Sequence, residues 1–159
     1  MIEKIIKYSA YLTAVTLALL VGLILYDATA RYLFSEGSTA LQELEWHLFD
    51  VVILLSIAYT LQENAHVRVD IFYDNFSQKT KLIVDMVATL FFILPLAGLI
   101  VYIGVDFTLL SFAQGEASSD PGGLTNRWIV KSLMPLSFFL VGVAGVSNLM
   151  KTFKKWSAA

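Results

Sequence analysis

Four long apolar stretches, separated by short polar segments, dominate the sequence. Three of them carry no charged residue, whereas the second is interrupted by Asp50 and its helical pattern starts near Leu41. A helix needs about 20 mainly apolar residues to cross the hydrocarbon core of a bilayer. The pattern therefore predicts an all-α membrane protein, with four transmembrane helices in a single domain over 1–159 and spans at about 8–26, 44–62, 86–105 and 132–150.

The first apolar stretch has some features of a secretory signal. Lys4 and Lys7 precede it, and the Ala-Thr-Ala sequence at 28–30 resembles a cleavage site. The apolar run of about 19 residues is longer than the 7–15 residues of a typical signal core. We therefore expect the first stretch to be retained as a membrane helix.

The distribution of lysine and arginine predicts the orientation, because these residues are enriched in cytoplasmic segments. Most of them lie before the first span, between the second and third, and after the fourth: Lys4, Lys7, Arg68, Lys79, Lys81, Lys151, Lys154 and Lys155. The other two connections hold only Arg31, Arg127 and Lys131. Both termini are therefore expected in the cytoplasm.

Composition supports a membrane protein and excludes several functions. Of the 159 residues, 57% are hydrophobic and 15% charged, against about 25% charged in a soluble domain, and the mean hydropathy is +0.70. With no cysteine, disulfides, thiolate metal sites and iron–sulfur clusters are excluded. A net charge of −2 gives no basic field for nucleic acid.

Small residues recur on the first predicted helix at Ala10, Ala14, Ala18 and Gly22. This four-residue spacing lets another backbone approach closely, which drives helix association in lipid. The stripe therefore predicts a packing face, and the alternative is a chance run of alanines in an apolar helix.

The third and fourth helices carry weaker packing signals. Gly142 and Gly145 repeat the small-residue pattern on the fourth helix. Pro95 lies inside the third helix and is expected to kink it or loosen one turn. Pro135 is expected in the first turns of the fourth helix, where proline costs little.

Acidic residues gather at the outer end of the second helix. Glu43, Trp46 and Asp50 share one face, and Arg31 at the end of the first helix is close enough in sequence to pair with it. One interpretation is a cation or proton site at Glu43 and Asp50. We favour the other, in which these side chains pair with Arg31 or snorkel at the interface, because charge inside a membrane is expensive.

No cofactor or catalytic site is predicted. His47 and His66 are 19 residues apart, so they would lie at opposite membrane faces and could not ligate one haem. Asp27, Asp85 and Asp106 are expected at solvated helix ends, which leaves no ionisable relay for a proton pump. Since no phosphate-binding loop or nucleophile elbow is present either, we expect the chain not to be an enzyme.

Several segments together resemble a known family. The sequence has RYLF at 31–34, LQELE at 41–45, ENAHVRVD at 63–70 and DPGGLTNRW at 120–128, with Lys131 and Pro135 following. Their order on four spans resembles the small membrane subunit (DctQ type) of tripartite ATP-independent periplasmic (TRAP) transporters. The likeness covers nearly the whole chain, and the HVRVD segment is its most specific part.

The resemblance implies a function. It implies a non-catalytic small permease subunit of a sodium-driven, binding-protein-dependent importer of organic acids (carboxylates) in the bacterial inner membrane. Its partners would be a large multispanning permease subunit, for which it serves as a scaffold, a periplasmic substrate-binding protein and membrane lipids. The alternatives from the residues are the membrane anchor of a redox enzyme and a small self-assembling exporter.

The same resemblance suggests roles for two segments. His66, Arg68 and Asp70 would form a structural junction at the cytoplasmic end of the second helix, the alternative being a solvated loop. Arg127 and Trp128 would lie on the outer side, against the partner subunit, lipid headgroups or the binding protein. The alternative for Trp128 is an ordinary interfacial tryptophan.

Overall fold

The computed structural model describes residues 2–63, 73 and 75–157, with the side chains of residues 2 and 3 excepted. Four long helices account for most of these residues, and each extends beyond its predicted span. They are α1 (Ile2–Phe34), α2 (Thr39–Gln62), α3 (Gln78–Ala113) and α4 (Trp128–Ser157).

All four helices are long and apolar enough to cross a membrane. Successive helices run in opposite directions, so the start of α1, the end of α2, the start of α3 and the end of α4 lie at one end of the molecule, which we call the terminal end. The connections 35–38 and 114–127 lie at the other end, which we call the loop end. The predicted all-α membrane fold with four spanning helices is confirmed.

The helices pack in the spatial order α1, α2, α4, α3. The main contacts join α1 to α2, α2 to α4, and α4 to α3. Helices α2 and α4 therefore occupy the middle of the arrangement, whereas α1 and α3 form its two edges. Most large apolar side chains on the edge helices point outward, as expected of surfaces that face lipid or another membrane protein.

Helices α2 and α4 run in the same direction and are joined by two polar contacts. The Ser137 hydroxyl donates to the carbonyl oxygen of Leu54, and the Asn148 amide donates to that of Leu61 at 2.8 Å. Hydrogen bonds of this kind join membrane helices where no hydrophobic effect acts between them. Both residues lie on one face of α4, together with the fully buried Ala144.

Helices α3 and α4 approach closely at two small residues. A Cβ atom added to Gly104 would lie 3.1 Å from Cδ of Pro135, and one added to Gly145 would lie 3.2 Å from Cδ2 of Leu94. The space beside Gly142 is looser, with the Cβ of Ala97 at 3.9 Å. The glycine signal on the fourth helix thus marks a contact within the chain.

Proline affects these two helices differently from each other. In α3, a π-helical turn at Thr89–Ile93 immediately precedes Pro95, which confirms the loosened turn: proline removes one N–H donor and crowds the carbonyl four residues earlier. The expectation for Pro135 was wrong. Because α4 begins at Trp128, Pro135 lies inside the helix, where it is buried against α3.

Helix α1 packs on α2 through one face and leaves the other open. Ile6, Leu20 and Asp27 are buried on the inner face. The expectation that Asp27 is solvated at a helix end was wrong, because α1 continues to Phe34 and only 3% of Asp27 is exposed. Asp85 and Asp106 also lie inside a helix and not at its end, because α3 runs from Gln78 to Ala113; Asp106 is exposed and Asp85 is half-buried.

Candidate functional site

The small-residue stripe of α1 lies on the open face of the helix. Ala14, Ala18 and Gly22 are exposed, and Ala10 is half-buried. Nothing lies within 4 Å of a Cβ atom added to Gly22. Large apolar side chains flank the stripe, among them Val15 and Leu19. Among the residues that the structure describes, none therefore packs closely on the part of this face around Gly22, although the sequence marks the face for close helix packing.

Arg31 pairs within its own helix. Its guanidinium donates to the buried carboxylate of Asp27, one turn earlier. The expected pairing of Arg31 with the acidic face of α2 is therefore wrong. The reason is the length of α1: because the helix continues through residue 31, the two residues lie four positions apart on one helical face, where side chains meet.

Glu43 fastens the long connection at the loop end to α2. One carboxylate oxygen accepts the Ser118 hydroxyl, and the other accepts the backbone N–H of Leu124 at 2.6 Å. Both partners belong to the connection 114–127. Glu43 is thus held by the loop and does not snorkel or pair with Arg31. No short pattern in the sequence indicates these distant partners.

The loop needs glycine where it passes Glu43. A Cβ atom at Gly123 would lie 2.5 Å from the Ser118 hydroxyl oxygen and 2.9 Å from a Glu43 oxygen, so no other residue fits without displacing the loop. Gly122 adopts φ +78°, a backbone conformation that glycine tolerates best. The Pro-Gly-Gly sequence at 121–123 therefore allows the loop to approach α2 closely.

In addition to the hydrogen bonds of Glu43, an ion pair joins the loop to the start of α4. The ammonium group of Lys131 bonds to the Glu116 carboxylate and lies 4.0 Å from the centre of the Phe107 ring. The bond from Lys131 lowers the pKa of the Glu116 carboxyl below its ordinary value. The loop is therefore fixed to both α2 and α4.

Three predicted site residues meet at one cavity at the loop end. Glu43, Asp50 and Arg127 all line a cavity of about 310 Å³ at the loop end, together with Trp46 and His47. The structure thus brings Arg127 to the acidic face of α2, in the place where Arg31 was expected. The cavity combines acidic and basic groups and opens beside the anchored loop.

The remaining predicted residues lie elsewhere. Trp128 begins α4 and packs edge-on against Phe112, with the ring centres 5.3 Å apart. His66, Arg68 and Asp70 lie outside the residues that the structure describes, so their role at the junction stays a prediction.

Metal binding finds no support in the part of the chain that the structure describes. No group of three or more histidine, aspartate or glutamate side chains there is placed to hold a metal ion. The acidic residues at the loop end are instead engaged by the loop or separated along α2.

Two polar contacts between helices were not predicted from the sequence. Ser137 and Asn148 join α4 to α2. The available signal was the presence of two polar side chains, eleven residues or about three turns apart, on one face of an apolar helix.

Four long apolar helices, packed around a small buried cluster and with exposed apolar side chains on the edge helices, define a multi-pass helical membrane protein. The family model of the DctQ component of tripartite ATP-independent periplasmic transporters matches residues 20–155. The chain belongs to this family and is a small permease subunit of a TRAP transporter. No curated protein matches the chain.

Family membership decides two further points. The chain is a transporter component and not an enzyme, which removes support from the redox-anchor alternative. Components of this type work with a large permease subunit and a substrate-binding protein. The two surfaces described above, the open face of α1 and the anchored loop end, are the candidate sites for such partners.

Proposed function

We propose that this chain is the non-catalytic scaffold subunit of a sodium-driven importer of organic acids in a bacterial inner membrane. It holds the large permease subunit in place, and a periplasmic binding protein delivers the substrate. The family supports the small-subunit role. The open stripe of small residues on α1 is the observation that carries the scaffold role.

The stripe supports a helix-packing partner for a physical reason. Lipid tails are as apolar as leucine, so membrane helices associate through close van der Waals contact, which small residues permit. Ala14, Ala18 and Gly22 offer such a surface on the side of α1 that its own chain leaves open. Burial of Asp27 and Leu20 on the other side fixes the rotation of α1, so the stripe stays directed outward.

The proposed orientation puts the terminal end in the cytoplasm. Among the described residues, this end carries most of the lysines: Lys4, Lys7, Lys79, Lys81, Lys151, Lys154 and Lys155. The positive-inside bias supports a cytoplasmic position for such an end. The loop end then faces the periplasm, where the binding protein docks.

The connection 114–127 has a fixed position that suits it for binding a partner protein. Glu43 and Lys131 fix the connection 114–127 at two places, so the loop presents a preformed surface beside Arg127. A surface that is already ordered loses less conformational entropy when a partner binds. We propose that this surface, with Arg127 and Asp50 at the adjoining cavity, contributes to docking of the binding protein.

Copurification tests the scaffold role. We would tag the C-terminus, solubilise membranes in mild detergent and measure how much of the large subunit accompanies the tagged chain. We expect Gly22→Leu to reduce that amount at least fivefold. The matched control is Gly98→Leu, which makes the same change at an equally open position on α3. If Gly98→Leu alone reduced the copurified large subunit, the result would indicate that this subunit binds α3, which would contradict the proposal.

Reconstitution tests the transport and docking roles. In liposomes with a sodium gradient, the chain alone should take up no organic acid, and uptake should require the large subunit and the binding protein. We expect Glu43→Gln to raise the concentration of binding protein needed for half-maximal uptake. Glu36→Gln, an exposed residue at the same end, is the matched control. An equal effect of both variants would indicate a general loss of charge and not a loop-based dock.

A further inference from the structure

The open face of α1 continues past the apolar run that is expected to cross the membrane. Beyond Gly22 it carries Leu25 and Thr29 and, in the last turn, Tyr32 and Leu33. These steps of three or four residues keep side chains on one side of a helix. All four are exposed, and the exposed fractions of Tyr32 and Leu33 are 82% and 74%. The open face therefore ends in two large apolar side chains, which we call the apolar tip.

The apolar tip lies further out than the tryptophans at the loop end. Trp46 and Trp128 have a similar depth, because residues on both sides of Trp128 line the same cavity as Trp46, and tryptophan prefers the membrane interface. Helix α2 begins at Thr39, seven residues before Trp46, which is about 10 Å along the helix axis. A short connection joins this start to the tip. Since the headgroup layer is about 5–8 Å thick, we expect the tip to reach its outer limit and to meet water.

The apolar tip adjoins an ordered turn between α1 and α2. Ser35 has a left-handed backbone conformation, with φ +57°, as is common where a helix ends. The backbone N–H of Glu36 then donates to the carbonyl oxygen of Ala30 at 3.2 Å. The Ser38 hydroxyl accepts the N–H of Leu41 at 3.4 Å, which caps α2. The tip is thus held in its exposed position, and a preformed surface loses less entropy when a partner binds.

The depth of the open face limits what can cover it. A lipid tail can cover the part around Gly22 but cannot follow the face to the apolar tip. A soluble protein can reach the tip but not the part within the hydrocarbon core, where its polar surface would lose water. One partner covers the whole face only if it is a membrane protein with a helix that continues past the bilayer. The family supplies such a candidate, because a small subunit of this type works with a large permease subunit.

We propose that the apolar tip is the outer part of the interface with the large permease subunit. A transmembrane helix of that subunit lies along the open face of α1 and extends about two turns past the level of the tryptophans, where its apolar side chains cover Tyr32 and Leu33. This inference rests on the proposed scaffold role. It adds where the contact ends and what kind of helix the partner supplies.

Cysteine labelling tests whether the large subunit covers the tip. The chain has no native cysteine, so Leu33→Cys introduces a single thiol. We would place the full-length chain in lipid nanodiscs, alone and with the large subunit, and follow its modification by a water-soluble maleimide with mass spectrometry. The thiol should react roughly tenfold more slowly in the complex, because the core of an interface excludes solvent. Thr125→Cys, at an exposed position of the connection 114–127, is the control and should react equally in both samples.

Two results of this labelling would overturn the proposal. Equal rates for Leu33→Cys with and without the large subunit would show that the partner does not reach the tip. A slow reaction in the chain alone, while Thr125→Cys reacts fast, would show that lipid or a second copy of this chain covers the tip.

Copurification measures the contribution of the tip to binding. Burial of a leucine side chain contributes roughly a tenfold factor or more to an association constant. Leu33→Ser should therefore reduce the copurified large subunit by about tenfold, with the elution profile of the chain itself unchanged. Leu110→Ser makes the same change at an exposed position near the same end of α3 and should leave the amount nearly unchanged. Equal losses in the two variants would overturn the proposal.

Gly22→Leu separates this inference from the scaffold role on which it rests. If Gly22→Leu disrupts the complex but Leu33→Ser does not, the scaffold role stands and the inference about the tip is wrong. If Leu33→Ser alone disrupts the complex, the tip is supported and the role of the stripe is wrong. If neither variant reduces the copurified large subunit, both proposals are wrong.

Discussion

The α3–α4 interface and the open face of α1 carry the same kind of sequence signal but use it differently. Gly145 and Gly104 lie where an added methyl group would crowd the neighbouring helix, whereas Gly22 has open space around it. The first region is a completed contact within the chain, and the second is an uncovered surface. Small-residue spacing therefore marks where helices can approach closely, but it does not tell whether the partner is internal.

The difference follows from the positions of the helices. Helix α4 is in contact with α2 on one side and α3 on the other, and Ser137 and Asn148 fix its rotation toward α2. Helix α1 is at an edge, and within the described part of the chain it contacts mainly α2 and, to a smaller extent, α4. Its buried residues determine which face meets α2, and the stripe is left outside.

The largest expected effect on stability comes from placing a larger side chain in the close contact between α3 and α4. Gly145→Leu should lower the free energy of unfolding of the chain by about 1–3 kcal/mol, because the added side chain overpacks the contact with Leu94. Gly22→Leu should leave stability unchanged or slightly higher, because glycine is a poor helix former. Thermal unfolding of the purified chain in detergent would measure both. Equal destabilisation by the two variants would remove the distinction between the regions.

A smaller effect is expected from the polar contacts that fix α4 against α2. Ser137→Ala and Asn148→Leu should each cost about 0.6 kcal/mol, as is typical of hydrogen bonds between membrane helices. In the double variant, α4 should also rotate more freely about its axis relative to α2. Cysteines introduced on α2 and α4 should then form disulfides in more combinations than in the original chain. An unchanged set of cross-linked pairs would contradict this role.

The smallest expected effect concerns the stability of the loop 114–127 against proteolysis, and it depends on pH. The bond from Lys131 holds the pKa of Glu116 below its ordinary value of 4.5. Because the folded pKa is depressed, this contribution is present above pH 4.5 and is lost as the pH falls through the lower, folded value. Proteolysis of the connection 114–127 should therefore accelerate slightly at acidic pH. Glu116→Gln should weaken this dependence, and an identical profile in both proteins would exclude the ion pair as a source of it.

Prediction from sequence succeeded for features that depend on one helix or on short segments of the chain. Length and hydropathy over about 20 residues predicted the four spanning helices, because each helix satisfies its own backbone hydrogen bonds in lipid. Pro95 predicted the loosened turn in α3, because the cause lies in the covalent structure of proline. The joint order of the loop segments indicated the family that the family model confirms.

Prediction from sequence failed where the position or partner of a residue depends on the length of a helix or on contacts with distant parts of the chain. Arg31 was expected to meet the acidic face of α2, but the extension of α1 to Phe34 gave it Asp27 as a partner. Pro135 was misplaced because α4 starts before its apolar run, at Trp128. Glu43 was recognised as unusual, but its partners Ser118 and Leu124 lie more than 70 residues away.

The sequence by itself determined the class of protein, the number of spanning helices and the family, because hydropathy and short segments are local properties of the chain. Only the tertiary structure decided which small residues are covered, which acidic groups are paired and how the loop is anchored. Those outcomes depend on the neighbour that each helix face meets, and the order α1, α2, α4, α3 assigns the neighbours. The same spacing of small residues thus closes a contact on α4 and leaves a surface open on α1.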